Sequence, residues 1–382
     1  MNPEEVMNAA RQATGLDDFG GTEFGEGLEV YCSAVESEAA LNDLGRVAVE
    51  ANVVASLANR LRIVDWAERH PQVADERIER PLVVIGMFRA GTTLLSNLLD
   101  CDPENRSLLR WESSDSVPPP DHSNFREGPR VDAARAASEM LDQINPAIPA
   151  VHYEAADGPT ECLTLLGQDF KSLLWEAMTN VPTYSEWLMG TDQTSAYRYH
   201  RLALQVLQSG GVRGRWALKS PHHALGLEAL TAVYPDATLV LLHRQPTTLV
   251  ASVCSLIRTL SGTFSDADHT AYIAEHWTRM LEASVERIET FRASHPEHPI
   301  VDVAYTDLVS DPVGTVAAIY RFAGRDLHPT GAEAMRKHLA DNPAGKHGTH
   351  RYDLADFGLD GADVAARFAA YAERYLGGAA SR

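Results

Sequence analysis

Pro81-Leu82-Val83-Val84-Ile85 is a short, wholly apolar run that turns at Gly86 into Met87-Phe88-Arg89-Ala90-Gly91-Thr92-Thr93 and then into a helix-like stretch, Leu94 to Leu99. An apolar run without polar alternation has no solvated face, so it predicts a strand buried on both sides, as in a parallel sheet. Such a strand, followed at once by a glycine loop and a helix, restricts the chain to α/β designs. Downstream the pattern repeats. Ala237–Leu242 is a second apolar strand, and Trp216-Ala217-Leu218 and Pro299–Val303 are shorter ones. Helices are predicted at Ala224–Val233, Pro246–Leu260 and Asp268–Arg292. Another starts at Asp311-Pro312, with an N-cap and a proline in its first turn, and ends at Gly324. The alternation predicts a doubly wound α/β fold around a central parallel sheet.

Around that core, residues 1–80 read as an N-terminal extension. Residues 1–30 are glycine-rich and acidic and read as loop. Leu41, Leu44, Val47, Ala51, Val54, Ala58 and Leu61 mark one amphipathic helix. The Pro-rich stretch 113–129 reads as an irregular surface loop, and 131–210 as a large helical insertion over the ligand edge. The core spans 81–325, with a C-terminal segment over 326–382. No linker divides the chain, so a single domain of 382 residues is expected.

Lys plus Arg number 33 against 53 Asp plus Glu, a formal charge of −20. A general affinity for nucleic acid or an anionic lipid surface is therefore not expected, and an anionic ligand needs a local basic cluster. No apolar run approaches the ~18–20 residues of a membrane span. The acidic start is unlike a signal peptide, and Cys32, Cys101, Cys162 and Cys254 are widely spaced, so a reduced, cytoplasmic chain is expected. No His/Cys cluster has zinc spacing, and no metal is expected.

Gly86 to Thr93 has the form of a phosphate cradle. Glycines let consecutive backbone N–H groups face one point, and the following helix N-terminus adds partial positive charge. A nucleotide triphosphatase has Lys after the second glycine; here Thr92 occupies that slot and Arg89 is the only cation in the loop. A P-loop kinase or NTPase is thus the second reading, one that predicts magnesium-dependent ATP binding.

At these residues the chain resembles the bacterial sulfotransferases that use 3′-phosphoadenosine-5′-phosphosulfate (PAPS). Phe88-Arg89-Ala90-Gly91-Thr92-Thr93 is similar to their 5′-phosphosulfate loop, with Phe88 and Ala90 in place of the usual Pro and Ser. Arg244, after the second apolar strand, and Ser252, eight residues on, match their 3′-phosphate element. Tyr305-Thr306-Asp307-Leu308-Val309-Ser310-Asp311-Pro312 is similar to the segment whose Tyr contacts adenine, although a core aromatic at a strand end is an equal reading of Tyr305. Trp111-Glu112, Leu218-Lys219-Ser220-Pro221 and the late run Lys346-His347-Gly348-Thr349-His350 look most like the bacterial and tyrosylprotein-type branches.

The resemblance implies a three-layer, P-loop NTPase-like fold. It implies metal-independent, in-line sulfuryl transfer from PAPS to a hydroxyl of a small-molecule, lipid or natural-product acceptor, with release of adenosine 3′,5′-bisphosphate. An aryl sulfate as donor is a variant of that reading. Donor contacts are expected from Arg89, Ala90, Gly91, Thr92, Thr93, Leu94, Arg244, Ser252 and Tyr305, with Lys346 closing over the 3′-phosphate. Lys219 and Arg89 are the expected cations at the transferring group. Glu112, beside Trp111, is the first candidate for the base, followed by His223 and then His222. Leu166, Phe170, Leu173 and Leu174, at helical spacing, read as core rather than acceptor pocket.

Overall fold

A computed structural model describes residues 1–151, 153–343, 346 and 352–377. Five strands form one sheet: β1 (Leu82–Gly86), β2 (Asn105–Ser107), β3 (Arg215–Lys219), β4 (Thr238–His243) and β5 (Ile300–Ala304), in the order β2-β3-β1-β4-β5. Every pairing is parallel. β1 is central, and the chain leaves it for one side of the sheet and later returns to the other. The carboxyl ends of β1, β3 and β4 therefore border a topological switch point, where ligands of doubly wound sheets bind.

The apolar strands are buried as their composition demands. Leu82, Val84, Val240 and Leu242 face one core cluster, whereas Val83, Ile85, Leu239 and Leu241 face the other. Helices cover both faces: Pro246–Ser261 and Thr270–Ser294 contribute to the first cluster, and Thr194–Ser209 and Leu227–Val233 to the second. This is the three-layer α/β arrangement that the resemblance implied.

Two local expectations need correction. Residues 1–30 are not mainly loop: Pro3–Thr14 and Gly25–Glu38 are helices. Asn2 caps the first through Glu4 and Glu5, and Val6, Ala10, Leu28 and Tyr31 bury it and its neighbour in the first core cluster. Strand β2 was not predicted either. It has three residues and the polar sequence Asn-Arg-Ser, so tertiary pairing with β3, not hydrophobic pattern, makes it a strand. The amphipathic helix near 41–61 extends over Asp43–Arg69, and the insertion contains six helical segments between Pro129 and Ser209.

Candidate active site

The loop after β1 is shaped by its glycines. Gly91 sits at φ 100°, and a Cβ there would approach Tyr305 Cδ2 to 2.8 Å, so both the backbone angle and the close aromatic require glycine. The helix Thr92–Asp100 follows directly. Its first helical bond runs from the Leu95 amide to the Gly91 carbonyl, and Gly91 has no side chain to cap the turn. The amides of Thr92, Thr93 and Leu94 thus have no helical acceptor, which is the donor set an anion needs. Ala90 differs from the expectation: its amide already donates to the Met87 carbonyl at 3.1 Å and is spent on closing the turn.

Arg89, at φ 70°, is a non-glycine residue in the left-handed region. Such strain costs on the order of 1 kcal/mol and persists where the surroundings hold it. Here two residues from the β4 side do so. Arg89 Nε donates to Ser252 Oγ at 3.1 Å, and Arg244 Nη1 donates to the Arg89 carbonyl at 2.9 Å. Arg244 also lies over the Tyr305 ring, 4.1 Å from its centroid. Four residues from distant parts of the sequence therefore converge at the ends of β1, β4 and β5. Tyr305 is half-buried against Gly91 and Arg244, at the loop rather than deep in the core. Burial pulls the Arg89 pKa below its ordinary value; Tyr352 and Glu161 oppose that shift, and the Arg244 charge adds to it.

Lys219 ends β3 and is buried, with Nζ 3.0 Å from Glu154 Oε1 and 3.3 Å from Glu161 Oε1. Burial works against its charge, but Glu161 and Glu154 outweigh it and hold the pKa above the usual lysine value. The two acids arrive through backbone stitching. Thr160 N–H donates to the Leu108 carbonyl at 2.8 Å and Cys162 N–H to the Lys219 carbonyl at 2.9 Å, which ties 159–162 to the ends of β2 and β3. Thr160 Oγ1 donates to Glu154 Oε2 at 2.7 Å. Glu161 keeps some exposure and is close enough to affect both Lys219 and Arg89. Sequence reasoning missed this pair. The only local signal is a Glu after Gly158-Pro159-Thr160; its role depends on which strand end the segment meets.

The residues expected to act as base are placed differently. Glu112 is fully buried, with Arg106 bonded to both of its oxygens and the Leu109 amide donating to Oε2 at 3.0 Å. Arg106 is itself flanked by the rings of Phe125 and Trp216, 4.2 and 4.6 Å away. Glu112 therefore fastens the start of the helix Arg110–Ser114 to β2 and has no open oxygen for an acceptor. His223 is fully buried, with Nδ1 2.9 Å from the Tyr197 hydroxyl. Its pKa is held well below 6.5 by burial and by the nearby His200 and His222. His222, also fully buried, is 2.9 Å from Gln193 Oε1 and is pushed down to about 3 by burial, with Arg287 adding repulsion. Both rings are carried by the buried 3-10 turn Pro221–Leu225.

Lys346 is exposed and bonded to the Asp341 carbonyl at 3.2 Å and Asn342 Oδ1 at 2.8 Å, so it caps the helix Pro329–Asp341 and makes no contact with the loop. His347, Gly348, Thr349 and His350 lie outside the described residues. Leu166, Phe170 and Leu173 are core as expected and Leu174 is half-buried, but they do not share one helix: Phe170, at φ 51°, lies between the helices Leu163–Gly167 and Leu173–Thr179 and stacks on Trp175 at 5.2 Å. A cavity of about 450 Å³ beside Gln193, Leu225 and Arg287 and another of about 400 Å³ beside Arg80 and Arg215 are roomy, yet neither includes Arg89, Lys219 or Arg244. The charged groups gather instead at the strand ends, where Arg89 bonds both Ser252 and Arg244.

Among the described residues, no helix is long and apolar enough to cross a membrane, and no cluster of three or more His, Cys, Asp or Glu could hold a metal ion.

A model of the sulfotransferase family matches residues 81–329. The chain is similar to the crystal structure of sulfotransferase STF1 from Mycobacterium tuberculosis H37Rv (34% identity, TM-score 0.87), with 97% of this chain and 99% of that one covered. It is also similar to sulfotransferase STF9 from Mycobacterium avium (32% identity, TM-score 0.90), with 97% and 96% covered. A curated relative, omega-hydroxy-beta-dihydromenaquinone-9 sulfotransferase Stf3 of Mycobacterium bovis, is 23% identical over 291 residues, 72% of this chain and 70% of that protein. The family match spans more than half of the chain and includes the loop, Lys219, Arg244, Ser252 and Tyr305: the chain belongs to the sulfotransferase family.

Proposed function

We propose that this chain transfers a sulfuryl group from PAPS to a hydroxyl on a lipid-like acceptor. The observation that carries the proposal is the convergence of Arg89, Ser252, Arg244 and Tyr305 on the loop after β1. Two anion grips, far apart in sequence, sit within hydrogen-bond reach of each other, as a nucleotide bearing phosphates at both 3′ and 5′ positions requires.

The residues fit such a donor. The free amides of Thr92, Thr93 and Leu94 suit the 5′-phosphosulfate, the Arg244 fork and Ser252 hydroxyl suit the 3′-phosphate, and the Tyr305 ring suits a flat base. When bound, PAPS supplies an activated sulfuryl group and a phosphate leaving group. Arg89 and Lys219 neutralise the charge that develops on the leaving oxygen, a role that a fixed cation in a water-poor site performs well. We assign the base to Glu161. It is partly exposed and paired with Lys219, and when the lysine turns to the transferring group the carboxylate is left facing an acceptor hydroxyl. Lys and Arg meet the leaving phosphate, so no metal is needed.

The Stf3 relative is named for a hydroxylated menaquinone. We take a hydroxyl-bearing lipid as the first acceptor class to test.

Titration calorimetry with adenosine 3′,5′-bisphosphate, with and without EDTA, checks the donor assignment. Tight, EDTA-insensitive binding supports it; magnesium-dependent binding of ATP in its place overturns it. Incubation with labelled PAPS and a fractionated lipid extract then identifies the acceptor by transferred label.

A further inference from the structure

Beyond this assignment, and resting on it for the role of Arg244, the structure points to a device outside the crevice. The C-terminal helix Ala369–Leu376 docks on the end of β4. Tyr371 is buried, and its hydroxyl is 3.1 Å from Nδ1 of His243, the last residue of β4. On the far side, His243 Nε2 is 2.7 Å from Asp302 Oδ1 on β5, and Arg292 bonds the same carboxylate. Tyr375 lies flat on the imidazole, with ring centroids 4.0 Å apart and planes 6° from parallel.

His243 thus bridges Tyr371 on the C-terminal helix and Asp302 on β5, and Arg292 bonds the same Asp302 oxygen. Bonded on both ring nitrogens and stacked on one face, His243 is held in place at the strand end. Arg244 is the first residue after the strand, so its guanidinium is aimed from the strand end that Tyr371 holds through His243. The helix has its own anchors in Arg374 and Tyr375 to Glu289, and the preceding helix Gly361–Arg367 is tied by Arg367 to Glu282.

We propose that Tyr371 is a positioning residue for donor binding: through His243, the neighbour of Arg244, it sets the angle at which Arg244 meets the donor's 3′-phosphate. The C-terminal helix is then part of the nucleotide grip, although it lies behind the strand and touches no ligand. A merely structural tyrosine would affect stability and leave donor affinity alone. A positioning tyrosine affects donor KM and bisphosphate Kd and leaves turnover at saturating donor alone.

The test uses the full chain. Tyr371→Phe keeps the ring and removes the hydroxyl. The expected result is a rise of about tenfold in donor KM and bisphosphate Kd, with kcat changed less than twofold. Arg367→Gln, which cuts a helix anchor remote from His243, is expected to lower Tm without changing donor KM. Unchanged KM and Kd in Tyr371→Phe overturn the proposal, as does an equal rise in Arg367→Gln. If Tyr371→Phe does not fold, Asp302→Asn breaks the far end of the same chain; a rise in donor KM supports the proposal and no change overturns it. Arg244→Ala separates the underlying assignment. If it weakens bisphosphate binding while Tyr371→Phe does not, only the Tyr371 proposal falls. If Arg244→Ala has no effect, the donor assignment falls with it.

Discussion

Arg89 and Ser252, 163 residues apart in sequence, are joined by a hydrogen bond of 3.1 Å from guanidinium Nε to hydroxyl Oγ. Each belongs to a different anion grip, and each satisfies the other. The Arg244 bond to the Arg89 carbonyl adds a third residue to this cluster. On the proposed function, a donor with a phosphate at each end offers these guanidinium groups an anionic acceptor in place of a neutral hydroxyl and carbonyl.

Ser252 is therefore expected to matter for donor affinity and little for stability. Ser252→Ala should raise the bisphosphate Kd by about tenfold, the equivalent of one hydrogen bond to a charged group, with Tm nearly unchanged. Calorimetry and a thermal melt on the same sample provide both numbers.

Glu161 and Glu112 should separate cleanly. Glu161→Gln is expected to lower kcat by about 10²–10⁴, the usual contribution of a general base, while bisphosphate binding is retained. Glu112→Gln should instead destabilise the fold by about 3 kcal/mol, because it leaves the buried Arg106 guanidinium short of its counter-charge. Denaturant unfolding and single-turnover kinetics distinguish the two; a selective kcat loss in Glu112→Gln would return the base to that residue.

Gly91→Ala tests the cradle itself. The methyl group must enter at φ 100° and within 2.8 Å of Tyr305. The expected cost is about 1–3 kcal/mol of stability, together with loss of measurable bisphosphate binding. Both are read by a melt with and without ligand. Normal affinity in the variant would show that the loop does not hold the donor.

The buried histidines predict an acid-sensitive fold. Burial pushes His200 and His222 down to about 3 from an ordinary 6.5. Below pH ~6.5 the unfolded chain binds protons at these sites and the folded chain does not, so stability falls as the pH drops from ~6.5 towards ~3. Each site contributes a slope of up to about 1.4 kcal/mol per pH unit. Urea unfolding at pH 7 and pH 5.5 should show a smaller loss in His222→Gln than in the parent by about 1 kcal/mol. Equal losses would assign the acid sensitivity to other groups.

Much of this protein was determined locally. The apolar runs at 82–85 and 237–242 had nowhere to go but the middle of a parallel sheet, since a strand without a polar face needs cover on both sides. The loop from Gly86 to Thr93 was legible because its chemistry comes from backbone amides and glycine geometry, which depend on a few neighbouring residues. Arg244 and Ser252 were marked by the family resemblance, one just after a recognisable strand and the other two turns into the following helix.

Tertiary structure decided the rest. Residues 1–30 are helical because Val6, Leu28 and Tyr31 reach a core built from strands more than fifty residues away. β2 exists because β3 offers it a ladder. Glu112, His222 and His223 carry the right functional groups for a base, but whether a carboxylate or imidazole can take a proton depends on what surrounds it. Arg106 takes both oxygens of Glu112, and His222 and His223 are fully buried against Gln193 and Tyr197. Glu154 and Glu161 became candidates only when Leu108, just past β2, and Lys219, at the end of β3, drew 159–162 to the sheet's edge. Backbone chemistry is short-range and can be read along the chain; the desolvation and pairing of a charge are properties of three-dimensional neighbours.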